Sequence, residues 1–287
     1  MSFRIFIEKG NMTNQRILMT GVTSGLGKIA ALVLANKGAQ LIALCRTLEK
    51  GEKLRAEYAE KFPNGKGSIE LFECDLSSFD SVREACQQIS SKYNRLDQLI
   101  LNAGVWHFER RKTIDGIEEI IQVNLLSPAL MIQLLLPTLE ESQEAKIIIT
   151  SSGLHQGTIQ FEDLEFAKSF SGMKAYRQSK LGVILLCRIL HIQLKEKGIG
   201  IYCQHPGVVQ TQLGRHAGWL SRVIFKLIGK SPEKGAQTLL YLAQKPKTKL
   251  LSGEYYANRK VTKTTKESND LNLAKKLMDV IEEYIKE

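Results

Sequence analysis

The chain of 287 residues contains no Cys-x-x-Cys. Its five cysteines, Cys45, Cys74, Cys86, Cys187 and Cys203, are odd in number and scattered. That argues against a disulfide framework and a zinc site, and for a reducing compartment, so a cytoplasmic location is expected. No apolar run approaches the roughly 20 residues that cross a bilayer. The apolar stretch near the N-terminus, between Met1 and Ile7, is too short for a signal peptide. No basic block is interleaved with aromatic residues, so no nucleic-acid partner is expected despite a formal charge of +10. That charge serves solubility, or attraction to a phosphate-bearing cofactor or an anionic membrane surface. The common dinucleotide fingerprint Gly-x-Gly-x-x-Gly is missing as well.

What is present is ordinary globular composition, 43% hydrophobic and 24% charged, in a chain long enough for one large α/β domain or two smaller ones. Short apolar runs that read as buried strands alternate with helical patterns: Arg16–Thr20, Gln40–Cys45, Ser68–Cys74, Leu96–Leu101, Ala145–Thr150 and Ile199–Gln204. Such alternation predicts a doubly wound parallel sheet of Rossmann type. No composition break marks a second domain. Residues 1–12 match no element and are set apart as an extension, with Met12 a natural start; 13–260 form the domain, and 261–287 a connector and terminal helix. Leu271, Ala274, Leu277, Met278, Ile281 and Ile285 share that helix's apolar face.

Several strand ends carry chemistry. Gly21, Gly25 and Gly27, with Thr23, Ser24 and Leu26 between them, lie between the first strand and a helix start. Such a turn lets backbone N–H groups approach a pyrophosphate, and the helix dipole favours the anion. After the second strand stands Arg46, where an acid would hold the ribose 2′-hydroxyl of NAD. A cation suits the 2′-phosphate of NADP. Asn102-Ala103-Gly104 ends the fourth strand with small residues that let the chain pass close to a ligand; Asn102 equally suits a turn. Ile117–Leu136 reads as one long apolar helix with Asn124 inside it, a poor helix residue that needs partners when buried. Ser151 and Ser152 end the fifth strand, about twenty loop residues follow, and then comes Tyr176-Arg177-Gln178-Ser179-Lys180. A loop of that length is usually functional or mobile. Tyr176 and Lys180 are one helical turn apart on one face. A cation so placed favours the phenolate, lowers the tyrosine pKa and equips it for acid/base work on an alcohol or carbonyl.

These motifs, with Asp75-Leu76 and Pro206-Gly207-x-Val209-x-Thr211, occur in the order seen in short-chain dehydrogenases/reductases, and the resemblance covers residues 13–260. Ala43-Leu44-Cys45-Arg46, Phe161-Glu162-Asp163-Leu164 and His205-Pro206-Gly207 resemble the retinol dehydrogenase branch. The resemblance implies an NADP(H)-dependent oxidoreductase acting on a hydrophobic alcohol, aldehyde or ketone. By it, Tyr176 is the acid/base and Lys180 also holds the nicotinamide ribose. Ser152, rather than its neighbour Ser151, orients the substrate oxygen, and Asn124 holds a water. Gly21, Gly25 and Gly27 carry the pyrophosphate, Asp75 the adenine edge, and Thr211 the carboxamide side of the nicotinamide. The family often pairs subunits through the helices of Asn124 and Tyr176, which makes Leu185 and Ile189 candidates for a homodimer face. The sequence departs from the family at Leu101, where Asn is usual, and at Leu125, where Gly is frequent. The alternative reading is a catalytically silent NADP-binding sensor. Residues 210–230 read as a small helical lid over the substrate, with Leu213, Ala217, Leu220, Ile224 and Leu227 at helical spacing and Arg215, Arg222, Lys226 and Lys230 behind. A sharper version rests that helix on anionic membrane.

Overall fold

A computed structural model describes residues 11–207 and 231–286. Seven parallel strands run in the order β3-β2-β1-β4-β5-β6-β7, and β8 closes the edge antiparallel to β7. They are β1 (Arg16–Thr20), β2 (Gln40–Cys45), β3 (Ser68–Glu73), β4 (Gln98–Leu101), β5 (Lys146–Thr150), β6 (Gly200–His205), β7 (Tyr255–Ala257) and β8 (Lys260–Val261). The first six are the runs read from sequence, shortened or shifted by a residue or two at some ends. The last two are too short and too polar to stand out. Helices α1 (Gly25–Asn36), α2 (Leu48–Lys61), α3 (Phe79–Lys92), α4 (Glu119–Glu140), α5 (Gly172–Leu194), α6 (Pro232–Gln244) and α7 (Leu271–Ile285) cover both faces. One apolar cluster lies between the sheet and α3, α4, α5 and α7. A second lies between the sheet and α1, α2 and α6. Direction reverses between β1 and β4, the place where open α/β sheets bind ligands beyond their strand C-termini.

Two readings need correction here. Helix α4 is 22 residues long and apolar enough to span a bilayer, although its polar interruptions hide this in sequence. It is nonetheless a core helix, mostly buried within the chain. Nor is it a plain α-helix, since Gln122–Leu126 form a π turn around Asn124. The second correction concerns Met12, which was placed in the extension. It is only 1% exposed, and its N–H donates to the Lys37 carbonyl at 3.0 Å, so it belongs to the folded unit.

The expected homodimer face is also not an outer surface. Leu185 is 0% and Ile189 6% exposed, both inside the cluster that α7 helps to close. Helix α7 packs along α5. Its N-terminus is capped by Asp270, which accepts from the Asn272 and Leu273 N–H groups. Its stripe Ala274, Leu277, Ile281 and Ile285 is buried as the spacing predicts, whereas Leu271 is exposed. At its end Arg83 donates to the Ile285 carbonyl. The fit is close, for a Cβ on Gly182 would meet Leu125 at 2.7 Å and Leu277 at 3.5 Å. Leu277→Ala is therefore expected to cost about 2–5 kcal/mol of stability, measured by urea unfolding. A change below 0.5 kcal/mol, the ordinary range of a surface site, would show that α7 is only loosely attached.

Candidate active site

The glycine turn after β1 is built by exclusion. Gly21 and Gly25 take φ of 68° and 55°, the left-handed region that suits glycine. A Cβ on Gly27 would overlap the Gly21 carbonyl oxygen. Asn102 locks the turn from β4, its Nδ2 donating to the Gly21 carbonyl at 3.2 Å. Thr20, which the sequence reading passed over, accepts from the N–H groups of both Asn102 and Ala103 at 3.0 Å. The Asn102 side chain is thus spent on holding the two strand ends together. Between them opens a cleft of about 350 Å³, lined by Gly21, Thr23, Arg46, Asp75, Leu76, Ala103 and Gly104 among others. Ser24 stands at the N-cap position of α1 with its side chain exposed, and Leu26 is buried behind the turn. Asp75 accepts from the Ser77 N–H and hydroxyl at 3.0 and 2.7 Å, which fixes its carboxylate at the rim. A turn free of Cβ atoms, next to a helix N-terminus, fits a pyrophosphate.

The same cleft takes residues that no motif announced. Trp106, His107 and Arg111, from the loop after β4, and Glu119, from the start of α4, line its other side. His107 Nε2 meets Glu119 Oε2 at 3.0 Å. This hydrogen bond, then the charges of His107, Arg111 and Arg46, hold the Glu119 carboxyl below its usual range. The available signal was position alone, within about fifteen residues beyond Asn102-Ala103-Gly104.

Beyond the cleft lie the four residues expected to work together. Ser152 lies beside the Tyr176 phenol and acts to lower its pKa. Ser151 instead donates to the Lys180 carbonyl at 2.9 Å. Lys180 Nζ lies 5.8 Å from the Tyr176 ring centre and donates to the Thr150 carbonyl at 2.9 Å. Asn124 accepts from the Val105 N–H at 2.8 Å and donates to the Val105 carbonyl and to Ser179, each at 3.0 Å. A Cβ on Gly104 would reach Asn124 Oδ1 at 3.2 Å and Lys180 Nζ at 3.4 Å, so a glycine is needed where these groups converge.

One electrostatic expectation fails. Burial pushes the Tyr176 phenol above its ordinary value, and Ser152 beside it opposes this only in part. Lys180 does not offset it. The ammonium faces the Thr150 carbonyl, and its own pKa is lowered by burial to about 8. Spacing showed that the two side chains share a face, but not how dry that face is.

The long loop after β5 is pinned rather than loose. Glu165 is held by Arg110 at 3.0 Å, by the Glu118 N–H at 3.0 Å and by the Tyr284 hydroxyl of α7 at 3.1 Å. Gln178 on α5 accepts from the Gln160 N–H and donates to the Leu164 carbonyl, both at 2.8 Å. On the β6 side, Pro206 and Gly207 are half-buried, with Gly207 at φ 84°. Val209, Thr211 and the lid of residues 210–230 lie outside the described residues, and with them the membrane-resting helix.

The short chain dehydrogenase family model matches residues 15–218. Retinol dehydrogenase 14 of Mus musculus is 37% identical over 290 residues, covering 96% of this chain and 87% of its own length. This chain belongs to the short-chain dehydrogenase/reductase family. Human retinol dehydrogenase 11 is 34% identical, over 92% of this chain and 83% of its own. Among solved structures, a Mycobacterium paratuberculosis protein aligns with a TM-score of 0.77 and 27% identity, over 96% of this chain and 95% of its own. A metagenomic short-chain oxidoreductase crystallised with NADP shares the fold at a TM-score of 0.63 and 22% identity, over 84% and 96% of the two chains. As a short-chain dehydrogenase/reductase, the protein is an oxidoreductase that uses a nicotinamide cofactor on CH–OH or C=O groups, in the retinol dehydrogenase-like branch.

Proposed function

We propose that the protein is an NADP(H)-dependent reductase or dehydrogenase of apolar alcohols, aldehydes and ketones, with Tyr176 as its acid/base. The observation that carries this is the buried Tyr176, with Ser152 beside its phenol and Lys180 Nζ 5.8 Å from its ring centre, at the point where Gly104, Asn124 and Lys180 converge. Thr23, Ser24, Leu26 and the three glycines would hold the pyrophosphate, and Arg46 the 2′-phosphate. Asp75, Leu76, Ala103 and Gly104 would line the adenosine, with Asn102 acting through the turn. Tyr176, Lys180, Pro206, Gly207, Val209 and Thr211 complete the cofactor set by resemblance. When bound, the nicotinamide supplies or takes the hydride.

The remaining chemistry belongs to the side chains. Ser152 donates to the substrate oxygen and fixes its direction. In reduction Tyr176 gives its proton to that oxygen, and in oxidation it takes the proton back. A raised phenol pKa keeps the donor protonated at neutral pH. The Lys180 ammonium, one turn away and donating to the Thr150 carbonyl, would hold the nicotinamide ribose beside that proton transfer. With its pKa near 8, that charge is present below pH 8 and lost above it. The reductive rate should therefore fall as pH rises through about 8. Apolar aromatics about Tyr176 favour an apolar substrate. The five free, buried cysteines support a reducing cytoplasmic setting.

NADPH oxidation with a panel of hydrophobic aldehydes and ketones tests this reading. Turnover is expected; tight NADPH binding without turnover on any of them would favour the silent sensor. Cofactor choice is tested by titration. NADP(H) should bind roughly tenfold to a hundredfold more tightly than NAD(H), as a charge-assisted pair with a phosphate allows. Arg46→Asp should narrow or reverse that preference. Equal affinities in the unaltered protein would refute it.

A further inference from the structure

Trp106 has no part in the acid/base set, yet it sits against it. Its ring centre is 5.6 Å from that of Tyr176, tilted by 35°, and 5.3 Å from that of Phe108. It is 8% exposed and also lines the cofactor cleft, so it stands between the cleft and the acid/base. Trp106, Ile120, Phe166, Ala175 and Tyr176 form one apolar cluster, separate from the two main cores, with Phe170 packed against it. Phe166 takes φ of 51°, a left-handed conformation that costs a bulky residue about 1–3 kcal/mol. That strain brings its ring into the cluster. The residue before it is Glu165, the point where the loop is tied to Arg110, Glu118 and Tyr284.

We propose that Trp106 is a positioning residue for Tyr176: with Phe166 it fixes the phenol ring and keeps water off it from the side of the cofactor cleft. Among the described residues, three polar or charged groups lie near the phenol. They are Ser152 at the end of β5, Lys180 on the same helix and Tyr255 on β7. Of the side chains around the phenol, Trp106 is the one that both touches its ring and lines the cofactor cleft. Loss of the indole opens a gap that water enters, so the phenol becomes both mobile and hydrated. Mobility lowers the rate of proton transfer. Hydration removes the burial that raises the phenol pKa.

The inference rests on Tyr176 being the acid/base, and its test separates the two. Trp106→Ala, Trp106→Phe, Tyr176→Phe and Trp106→Ala/Tyr176→Phe are compared in full-length protein with NADPH and one aldehyde that the wild type reduces. Trp106→Ala should lower kcat roughly tenfold to a hundredfold, the scale of a misplaced reacting group, with a smaller change in KM. Trp106→Phe, which keeps a ring on the phenol, should recover most of that loss. A near-ultraviolet phenolate titration, read as the difference between each protein and its Tyr176→Phe counterpart, should place Tyr176 at lower pH in Trp106→Ala than in wild type. Wild-type kcat in Trp106→Ala overturns the inference. So does equal loss of kcat in the Ala and Phe variants with an unmoved Tyr176 titration, which is the mark of a purely structural residue. Turnover in Tyr176→Phe would instead overturn the assignment of the acid/base.

Discussion

Tyr176→Phe should lower kcat by about 10²–10⁴-fold, the usual worth of a positioned proton donor, while NADPH still binds with nearly its original affinity. The substitution removes one oxygen and nothing else of bulk. The phenyl ring keeps its packing on Trp106 in the cluster around Ala175. The lost atom is a buried hydroxyl beside Ser152, so the cost to the fold should not exceed that of one hydrogen bond, about 1 kcal/mol. Rate and stability should therefore part company, with single-turnover kinetics showing the first effect and thermal unfolding the small size of the second. Lys180→Ala should behave differently. It removes the donor to the Thr150 carbonyl and a charge at the cleft, and NADPH affinity should fall along with the rate. Wild-type turnover in Tyr176→Phe would leave the site without its acid/base.

Gly27→Ala should cost the protein its cofactor. The added methyl group would overlap the Gly21 carbonyl oxygen, and it would crowd Asn102 Nδ2, the group that ties the turn to β4. Neither obstacle is the free end of a flexible side chain, so the turn itself must open. Overpacking of this kind costs about 1–3 kcal/mol, and here the cost falls on the groups that face the pyrophosphate. The NADPH dissociation constant should rise roughly tenfold to a hundredfold, the equivalent of the larger part of that range. Circular dichroism should remain that of a folded α/β protein. Unchanged affinity in the folded variant would mean that this turn does not hold the cofactor.

How much of this was legible in the sequence differs from one residue to the next, for physical reasons. Strands such as Gln40–Cys45 are buried on both faces and read as continuous apolar runs. The stripe of α7 reads at its period because one face is wet. Helix α6 went unread, although Ser231-Pro232 has the signature of a helix start with proline in its first turn. The π turn around Asn124 was not readable, since a single wide turn leaves no period of its own. At the site, Tyr176, Lys180 and the glycines are marked by fixed spacing. Trp106, His107, Arg111 and Glu119 are not, because their places follow from a loop folding across the cleft. Spacing also misjudged the Tyr176 pKa, since it says which charge is near and not how much water is absent.

The closure of α5 by α7 sets a schedule as well as a structure. Gly182 packs against Leu277, roughly ninety-five positions later in the chain. A ribosome adding about 5–20 residues per second makes the helix of Tyr176 and Lys180 some 5–20 s before it makes the residues that cover its back. Until then an apolar flank is bare, and the nascent chain has a sticky surface that the finished protein lacks. Truncation between β8 and α7 would leave the molecule in that unfinished state, with every residue of the proposed acid/base set already synthesised.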